Sequence, residues 1–434
     1  MNTIDPAEIL NDQEVKNFFL SILESDLTSV EKYQKFLDFF RKRNELKNQM
    51  QGHVDQLLNA DEESVAQIVS QASQEIGFWD PSTIKNQTAD SIQRAIRRLK
   101  VSQHYDGGWG PKPQASDVWG TAFSVLCLDA AASLDLSYSV DLGEMVARGV
   151  QWLETNQGGW SAADIPAQGE VPSYTAAIAI RCLLDPNRVY RPETRRVLQE
   201  SIRYIAASQN ADGGWDARVW GSERWPVHMW SEVGATGAAV QALAQTREDQ
   251  YLPVIMKGLQ WLLHSQNPDG SWNNGSCRPE LKPYEVTGIP AITKTCDALK
   301  GILVIQDLDL PIDPYHAAVD RAVAWLQRQE RPLLGENDQI EGWGWRKDRE
   351  DPQEVAYTVP DFENTAFTLE TLVLIPNAPL SLLVSSVRWL IENQFKSDGD
   401  LEDGNWQKGH TARIALALSE YYRKIAASSI FEAI

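Results

Sequence analysis

A turn that recurs along the chain limits what this sequence can fold into. Three segments have the same spacing from Gln to Trp: QHYDGGW at residues 103–109, QNADGGW at 209–215 and QNPDGSW at 266–272. Weaker copies pair a Gln with a later Trp: Gln157 with Trp160, Gln329 with Trp343, and Gln394 with Trp406. Six copies of one unit indicate a repeat architecture.

Each turn separates two kinds of predicted helix. The segment before a turn, such as VIMKGLQWLLHSQ, is amphipathic, whereas the segment after it, such as GATGAAVQALA, is apolar or small on every side. An amphipathic helix has one face in water, and an apolar helix is buried. We therefore predict an all-α fold, an (α/α)6 barrel of six outer and six inner helices whose inner helices start at one mouth. The turn Trp and Gln residues are predicted to clamp neighbouring repeats together.

The N-terminal segment lacks these turns. Residues 1–85 contain helical patterns such as VEKYQKFLDFFRKRNEL, and no Gly- or Ser-rich linker follows them. We predict that residues 1–85 form helices packed on the barrel, with a lid or a membrane foot as the alternative role. Residues 86–434 are predicted to form the barrel itself.

Composition excludes several classes of partner. Lys and Arg total 40 against 60 Asp and Glu, and the resulting net charge of -20 opposes binding to nucleic acid or anionic lipid. The four cysteines form no CxxC pair, which argues against a disulfide framework or a cysteine-rich zinc site. The first residues, MNTIDPAEIL, lack the basic and apolar parts of a signal peptide. We expect a cytoplasmic protein that contacts membranes reversibly at most. The sequence leaves the oligomeric state open.

The repeated turns resemble the QW motifs of the class II terpene cyclase family, the squalene-hopene and oxidosqualene cyclases. The segment VPDFENTAF resembles the acid motif VPDVDDTA of that family, and WDARVWGSERWPVHMW resembles its tryptophan-lined loop. The likeness covers roughly residues 90–425 and one barrel of repeats, so the chain resembles the monodomain members that act on a prenylated aromatic acid. This resemblance implies a protonation-initiated, metal-independent cyclisation of a polyprenyl or prenylated aromatic (meroterpenoid) substrate, without a cofactor.

The resemblance also implies which residues donate the proton. Asp361, Glu363 and Asn364 stand where the family has Asp-x-Asp-Asp, so Glu363 is the implied donor. A buried carboxyl retains its proton, Asp361 would share it, and Asn364 would hydrogen-bond either form. Asp117, in the SDVWGTAF segment of the first repeat, is the alternative donor. A purely structural alternative makes Asp361 a helix cap and Glu363 a first-turn residue favoured by the helix dipole.

Aromatic side chains in the loops before the inner helices are candidates for substrate binding. An aromatic face stabilises a cation by ~0.5–2 kcal/mol. The candidate aromatics are Trp119, Trp220, Trp225, Trp230, Trp345 and Tyr357. Ordinary packing is the alternative role of each. His228 lies in the same Trp-rich loop and would orient an acid or a substrate carboxylate, unless its role is structural.

Two other functions are compatible with such a barrel. DFENTAF also resembles the DFYHTC segment of protein prenyltransferase β subunits, but Asn364 stands at the position of the zinc-binding His and the chain contains no Asp-x-Cys. A non-catalytic isoprenoid-binding toroid is the non-enzymatic alternative. The chain has no DDxxD segment with which magnesium would ionise a diphosphate, so we expect no metal site and a reaction that starts from protonation.

Overall fold

The fold was determined as a computed structural model. It describes residues 81–112, 115–156, 173–184, 188, 191–216, 230–277, 285–308, 313–329, 362–376, 378, 380–394 and 411–427. Among these residues two compact units are distinguished: the larger lies within residues 90–378 and 385–421, and the smaller includes residues 81–89, 380–384 and 422–427. Helix α1 (Pro81–Ser102) continues across the predicted boundary between residues 85 and 86, and the two-domain division stays a prediction.

Twelve α-helices alternate along the described residues between outer and inner positions. The outer helices are α1, α3 (Leu142–Thr155), α5 (Pro192–Ala207), α7 (Leu252–His264), α9 (Asp313–Gln329) and α11 (Leu380–Glu392). The inner helices are α2 (Val118–Ala132), α4 (Ser173–Leu183), α6 (Val233–Gln245), α8 (Ile292–Leu303), α10 (Phe362–Leu374) and α12 (Thr411–Ala427). Short 3-10 helices cover Asp249–Tyr251 and Val304–Asp307.

Burial separates the two helix types as the sequence predicts. Outer helix α3 buries one stripe, which includes Met145, Gly149 and Leu153, and exposes the opposite face. Inner helix α6 is buried at every residue from 233 to 244. A helix that is apolar all round loses its exposed surface only when it is enclosed by others. This difference places α6 inside and α3 outside.

The three full turns, at residues 103–109, 209–215 and 266–272, are built alike. In the third repeat the Trp215 ring is fully buried, and its Nε1 donates to the carbonyl oxygen of Ile205 at 2.8 Å. The Gln209 amide donates to the carbonyl oxygens of Gly213 and Val254, each at 2.9 Å, and so joins its own turn to the next outer helix. The first and fourth repeats make equivalent hydrogen bonds. The predicted clamp is confirmed for these three repeats.

The first glycine of each full turn has a conformation that other residues rarely adopt. The φ angles of Gly107, Gly213 and Gly270 are 96°, 97° and 98°. A side chain is strained in this left-handed region. A Cβ on Gly213 would also lie 2.8 Å from the carbonyl oxygen of Lys257 in the next outer helix. Glycine therefore both reverses the chain and lets the next repeat approach.

In three repeats, a threonine near the start of the inner helix binds that helix to its turn. Its Oγ1 accepts a hydrogen bond of 2.9 to 3.1 Å from the backbone N–H of the turn tryptophan in three repeats: Thr121 with Trp109, Thr236 with Trp215, and Thr295 with Trp272. The sequence places the same residue type at the matching position of the other inner helices: Thr175, Thr365 and Thr411. These six residues, called the aligned threonines below, give a common register for the inner helices.

Two short antiparallel strand pairs precede inner helices. Strand β1 (Trp109–Lys112) pairs with β2 (Ala115–Asp117), and β3 (Trp215–Asp216) pairs with β4 (Ser231–Glu232). Each pair carries the chain from a turn tryptophan back to the first residue of an inner helix. The strands therefore fix where α2 and α6 begin.

The last repeat is joined to the first. Gln394, which follows α11, donates from Nε2 to the carbonyl oxygen of Ser91 on α1 at 2.8 Å, and its Oε1 accepts from the Ser91 hydroxyl at 2.7 Å. The inner helices α2, α4, α6, α8 and α10 pack against one another in chain order. Arg413 of α12 lies against Phe123 of α2 and Phe367 of α10, which places α12 between them. Six helix pairs joined in this way form the predicted (α/α)6 barrel.

Within the residues that the structure describes, no helix is both long and apolar enough to cross a membrane.

Candidate active site

The inner helices bring a set of side chains together in three layers, defined here by distance from the aligned threonines. The mouth layer, one or two residues before the threonine, holds Trp119, Tyr174, Gly234, Lys294 and Glu363. The middle layer, two residues after it, holds Phe123, Asp297, Phe367 and Arg413. The deep layer, five or six residues after it, holds Arg181, Gln241, Lys300 and Glu370.

The mouth layer contains an aromatic stack. The half-buried Trp119 ring stacks on the Tyr174 ring, with centroids 5.8 Å apart and planes at 24°. The Lys294 Nζ lies 5.9 Å from the Tyr174 centroid. Burial raises the pKa of the Tyr174 phenol, and the nearby Asp297 carboxylate raises it further. The stack offers a flat, neutral surface at the start of the inner wall.

Arg413 crosses the middle layer between aromatic rings. Its guanidinium carbon lies 5.2 Å from the Trp119 centroid and 4.7 Å from the Phe123 centroid, and it also lies over the Phe367 ring. The side chain is only 2% exposed. A guanidinium held against several aromatic faces is stabilised by cation–π attraction. Arg413 thus joins α12 to two other inner helices.

Carboxylates approach Arg413 from α10. Its Nη1 lies 3.9 Å from Glu363 Oε1, and its Nε lies 4.0 Å from Glu370 Oε2. These contacts are ion pairs without hydrogen bonds, since neither Nε nor Nη1 has a hydrogen-bond partner among the described residues. Arg413 is therefore held by charge and by ring contacts.

The deep layer contains a buried ion pair. Lys300 Nζ donates to Glu370 Oε2 at 3.0 Å, and both side chains are less than a tenth exposed. Burial alone would raise the pKa of Glu370, but the charges of Lys300, Arg413 and Arg181 outweigh burial and hold its pKa below the usual value. The carboxylate of Glu370 therefore stays ionised and continues to bind Lys300.

Asp297 occupies the middle layer on α8 and is 5% exposed. Burial raises the pKa of Asp297 above that of an ordinary aspartate, although the charges of Lys294, Lys300 and Arg413 oppose the shift. The neighbouring helix α6 has glycine in the mouth layer, where a Cβ on Gly234 would lie 3.1 Å from Asp297 Oδ2. The Asp297 carboxyl therefore stands beside bare backbone.

Three of the four predicted acid-site residues are described, and they have different environments. Asp117 is buried and caps α2, accepting a hydrogen bond of 2.6 Å from the backbone N–H of Gly120. The Glu363 side chain is 40% exposed, whereas Asn364 is buried. Asp361 lies outside the described residues. Among the predicted binding residues, Trp119 contacts the inner wall and Trp230 is half-buried immediately before β4. The remaining predicted binding residues lie outside the described part of the chain: Trp220, Trp225, His228, Trp345 and Tyr357.

Sequence reasoning missed the charged residues of the middle and deep layers. Asp297, Lys300, Glu370 and Arg413 are charged residues at buried positions of the inner helices α8, α10 and α12. A charge within a fully buried helix is costly unless it is paired or functional. That contrast was visible in segments such as ITKTCDALKGIL, and it is the signal that would have found them.

In the described part of the chain, no three His, Cys, Asp or Glu residues are grouped closely enough to hold a metal ion. The four cysteines, Cys127, Cys182, Cys277 and Cys296, are buried and carry free thiols. The expected independence from metals stays a prediction.

These features define the class of protein. It is an α/α barrel whose outer turns join neighbouring repeats and whose inner helices carry polar and aromatic side chains. Residues 117–299 match the family model described as squalene-hopene cyclase C-terminal domain. This match confirms the resemblance to class II terpene cyclases that the repeated turns predicted.

A known sequence relative supports the same resemblance. The chain is 26% identical over 289 residues to a probable squalene--hopene cyclase of Sinorhizobium fredii. The match covers 61% of this chain and 41% of that protein, so it spans less than half of the relative.

Solved structures share the fold. An unsaturated glucuronyl hydrolase specific for heparin superposes with a TM-score of 0.57 at 13% identity, covering 80% of this chain and 99% of its own. A variant of the type II terpene cyclase MstE from Scytonema, in complex with geranylgeranyl dihydroxybenzoate, gives a TM-score of 0.50 at 14% identity and covers 79% of this chain and 99% of its own. At such identities the likeness establishes the fold and not the activity.

Proposed function

We propose that this protein is a class II terpene cyclase, which protonates a polyprenyl or prenylated aromatic substrate and forms fused rings through carbocations. The observation that carries the proposal is the pairing of two features in one barrel. The outer turns have the Gln-to-Trp spacing that resembles the QW motifs of class II terpene cyclases, and the inner helices place the Tyr174 ring close to the buried carboxyl group of Asp297.

The substrate class is inferred from relatives and from the inner wall. The structure of MstE contains geranylgeranyl dihydroxybenzoate, a prenylated aromatic acid. The repeats of this chain form one barrel. The superposition with MstE covers 99% of that chain. A single barrel suits a substrate whose polar head remains near one end while the isoprenoid chain folds inside. We therefore propose a prenylated aromatic acid ahead of a hydrocarbon such as squalene.

The aromatic rings of the inner wall would stabilise the cations. Trp119 and Tyr174 stack in the mouth layer, and Phe123 and Phe367 lie below them in the middle layer. An aromatic face contributes ~0.5–2 kcal/mol to a nearby cation, and Arg413 already lies against Trp119, Phe123 and Phe367 in this way.

The proton must come from a carboxyl group that is protonated when substrate binds. The family resemblance proposes Glu363, with Asp361 and Asn364 as partners, and Asp117 is the alternative. Removing the acidic proton of a general acid lowers the rate by ~10²–10⁴-fold. The donor can therefore be identified from turnover, provided that substrate binding is measured alongside it.

The proposed activity is tested with the purified protein, a geranylgeranylated hydroxybenzoic acid and D2O buffer, with and without EDTA. We expect a cyclic isomer that gains one deuterium from the initiating proton, formed at the same rate with the chelator. Activity that EDTA abolishes and zinc restores would favour the prenyltransferase-like alternative. Tight binding without any product would favour the non-catalytic toroid. Equal turnover of squalene would contradict the preference for an acid head group.

A further inference from the structure

We propose that Asp297 is the carboxyl group that protonates the substrate, an assignment that rests on the proposed function and differs from the sequence-based choice of Glu363. Protonation of an alkene requires a carboxylic acid that faces the substrate, is shielded from water and is not tied up in a structural bond. The described carboxyl groups of the inner wall can be compared on these three requirements.

Two of these carboxyl groups, Asp117 and Glu370, are already bound in structural contacts. The Asp117 Oδ1 accepts a hydrogen bond of 2.6 Å from the Gly120 N–H at the first turn of α2. Glu370 Oε2 accepts a hydrogen bond of 3.0 Å from Lys300 and stays ionised. A helix cap and a buried ion pair both stabilise the charged carboxylate. Neither is available as a neutral acid.

Glu363 fails the requirement for shielding. Its side chain is 40% exposed at the mouth of the barrel, so water reaches it. It also lies 3.9 Å from the Arg413 guanidinium, where it contributes to holding that buried cation. A carboxylate in this position suits charge balance at the entrance.

Asp297 meets the requirement for shielding, and its position in the middle layer is where we propose that the substrate lies. It is 5% exposed, and it shares the middle layer with the rings of Phe123 and Phe367. Of the cations near it, Lys300 binds Glu370 and Arg413 lies between Glu363 and Glu370, whereas Lys294 stands beside the Asp297 carboxyl. Burial outweighs the opposing charges of Lys294, Lys300 and Arg413 and raises the pKa of Asp297 above that of an ordinary aspartate.

Gly234 leaves room at the Asp297 carboxyl. In α2 and α10 the matching mouth-layer position carries Trp119 and Glu363, whereas α6 has glycine there. A Cβ on Gly234 would lie 2.6 Å from Lys294 Nζ and 3.1 Å from Asp297 Oδ2. The absence of a side chain at this position allows the Asp297 carboxyl and the Lys294 amine to stand side by side below the mouth.

Glu232 is the nearest competitor. Burial also raises its pKa, and its Oε1 accepts a hydrogen bond of 3.1 Å from the Ser276 hydroxyl. It lies on β4, two residues before Gly234, and therefore precedes the mouth layer. Glu232 is included in the test because it is also a partly buried carboxyl group and differs from Asp297 mainly in its position along the barrel.

The proposed step is balanced as follows. The Asp297 O–H bond breaks and leaves its electron pair on the carboxylate, while the π electrons of the terminal alkene form the new C–H bond. Neighbouring alkenes attack the tertiary cation in turn, forming the rings. The last cation loses a proton to water, or binds water and then loses a proton, and the Asp297 carboxylate regains its proton from solvent. Without added water the product is an isomer of the substrate.

The test compares Asp297→Asn, Glu363→Gln, Glu232→Gln and a control variant, Asp320→Asn, whose residue is exposed on outer helix α9. Turnover of the geranylgeranylated hydroxybenzoic acid is measured by mass spectrometry, and its Kd by quenching of tryptophan fluorescence. We expect Asp297→Asn to lose ~10³-fold in kcat with Kd changed less than about threefold. The other three variants should keep at least about a tenth of wild-type kcat.

Several outcomes would overturn the assignment. One is an active Asp297→Asn variant beside an inactive Glu363→Gln or Glu232→Gln variant. If Asp297→Asn does not fold, the Gly234→Ala variant is measured instead, because its methyl group approaches the Asp297 carboxyl. We expect this variant to lose at least ~10-fold in kcat. Unchanged turnover would reject Asp297 as the donor. A wild-type protein without turnover rejects the proposed function and this assignment together, whereas turnover that survives in Asp297→Asn rejects only the assignment.

Discussion

In the first, third and fourth repeats the outer turns are built from the same contacts, while the inner helices of those repeats differ at every layer. The turn tryptophan is buried and donates to a carbonyl oxygen at 2.8 or 2.9 Å in all three. Two residues after the aligned threonine, the same repeats carry Phe123, Ala238 and Asp297. The contacts that repeat are those of the turns, which hold each repeat together and join it to the next. Residues that differ between repeats, on a wall where all repeats meet, are where a binding or catalytic site can form.

The largest expected loss of stability follows from removing a turn tryptophan, and it can be compared with the loss from removing an inner-wall tryptophan. Trp215→Ala removes a fully buried ring and its hydrogen bond to Ile205, and we expect a loss of ~3–5 kcal/mol in the free energy of unfolding in urea. Trp119→Ala, which removes a half-buried ring, should cost less than half as much but should weaken substrate binding. Equal losses of stability would show that the two tryptophans have the same structural role.

The buried pair of the deep layer gives the next effect. Lys300→Met or Glu370→Leu alone leaves an uncompensated buried charge, and each should cost ~3–5 kcal/mol. The double variant Lys300→Met/Glu370→Leu should recover most of that loss, because both charges are removed together. Denaturation of the four proteins in urea measures the coupling. Additive losses would mean that the two side chains do not depend on each other.

A smaller loss is expected at the turn glycine. Gly213→Ala forces a side chain into a φ of 97° and brings a Cβ to 2.8 Å from the Lys257 carbonyl oxygen, so we expect ~1–3 kcal/mol of destabilisation. Gly143→Ala is the matched control, since Gly143 is exposed in helix α3 and alanine is favoured there. Thermal unfolding should separate the two variants. A control that is destabilised as much as Gly213→Ala would refute the argument from backbone conformation.

The smallest effect concerns the helix cap. Asp117→Ala should cost ~1 kcal/mol, and Asp117→Asn should restore most of it because asparagine also caps helices. Both variants should keep turnover. A stable Asp117→Asn protein without activity would instead assign the proton donor to the first repeat, as the alternative from the sequence holds.

Much of the fold could be predicted because its determinants are local. The Gln-to-Trp spacing, the glycines of the turns and the contrast between amphipathic and apolar helices are each contained in a short segment. Those signals gave the alternation of outer and inner helices and the clamping role of the turn tryptophans. They did not give the aligned threonines, whose hydrogen bonds join residues 12 to 23 positions apart.

The candidate site was predicted less completely because a linear motif describes one helix at a time. The likeness of VPDFENTAF to an acid motif directed attention to Glu363, which is partly exposed beside Arg413. Asp297 belongs to no recognised motif and became a candidate only when its burial and its neighbours on other helices were known.

The sequence by itself determined the repeat, the helix types, the acidic charge balance and the family resemblance, since these depend on residue types and spacing along the chain. Only the tertiary structure decided which charges are paired, which carboxyl group is buried and which rings face one another. The Lys300–Glu370 pair joins residues 70 positions apart, and Arg413 meets Phe123 across the join between the last and first inner helices. The state of a carboxyl group depends on desolvation and on charges within a few ångströms, and in a closed barrel those neighbours come from helices that are distant in sequence.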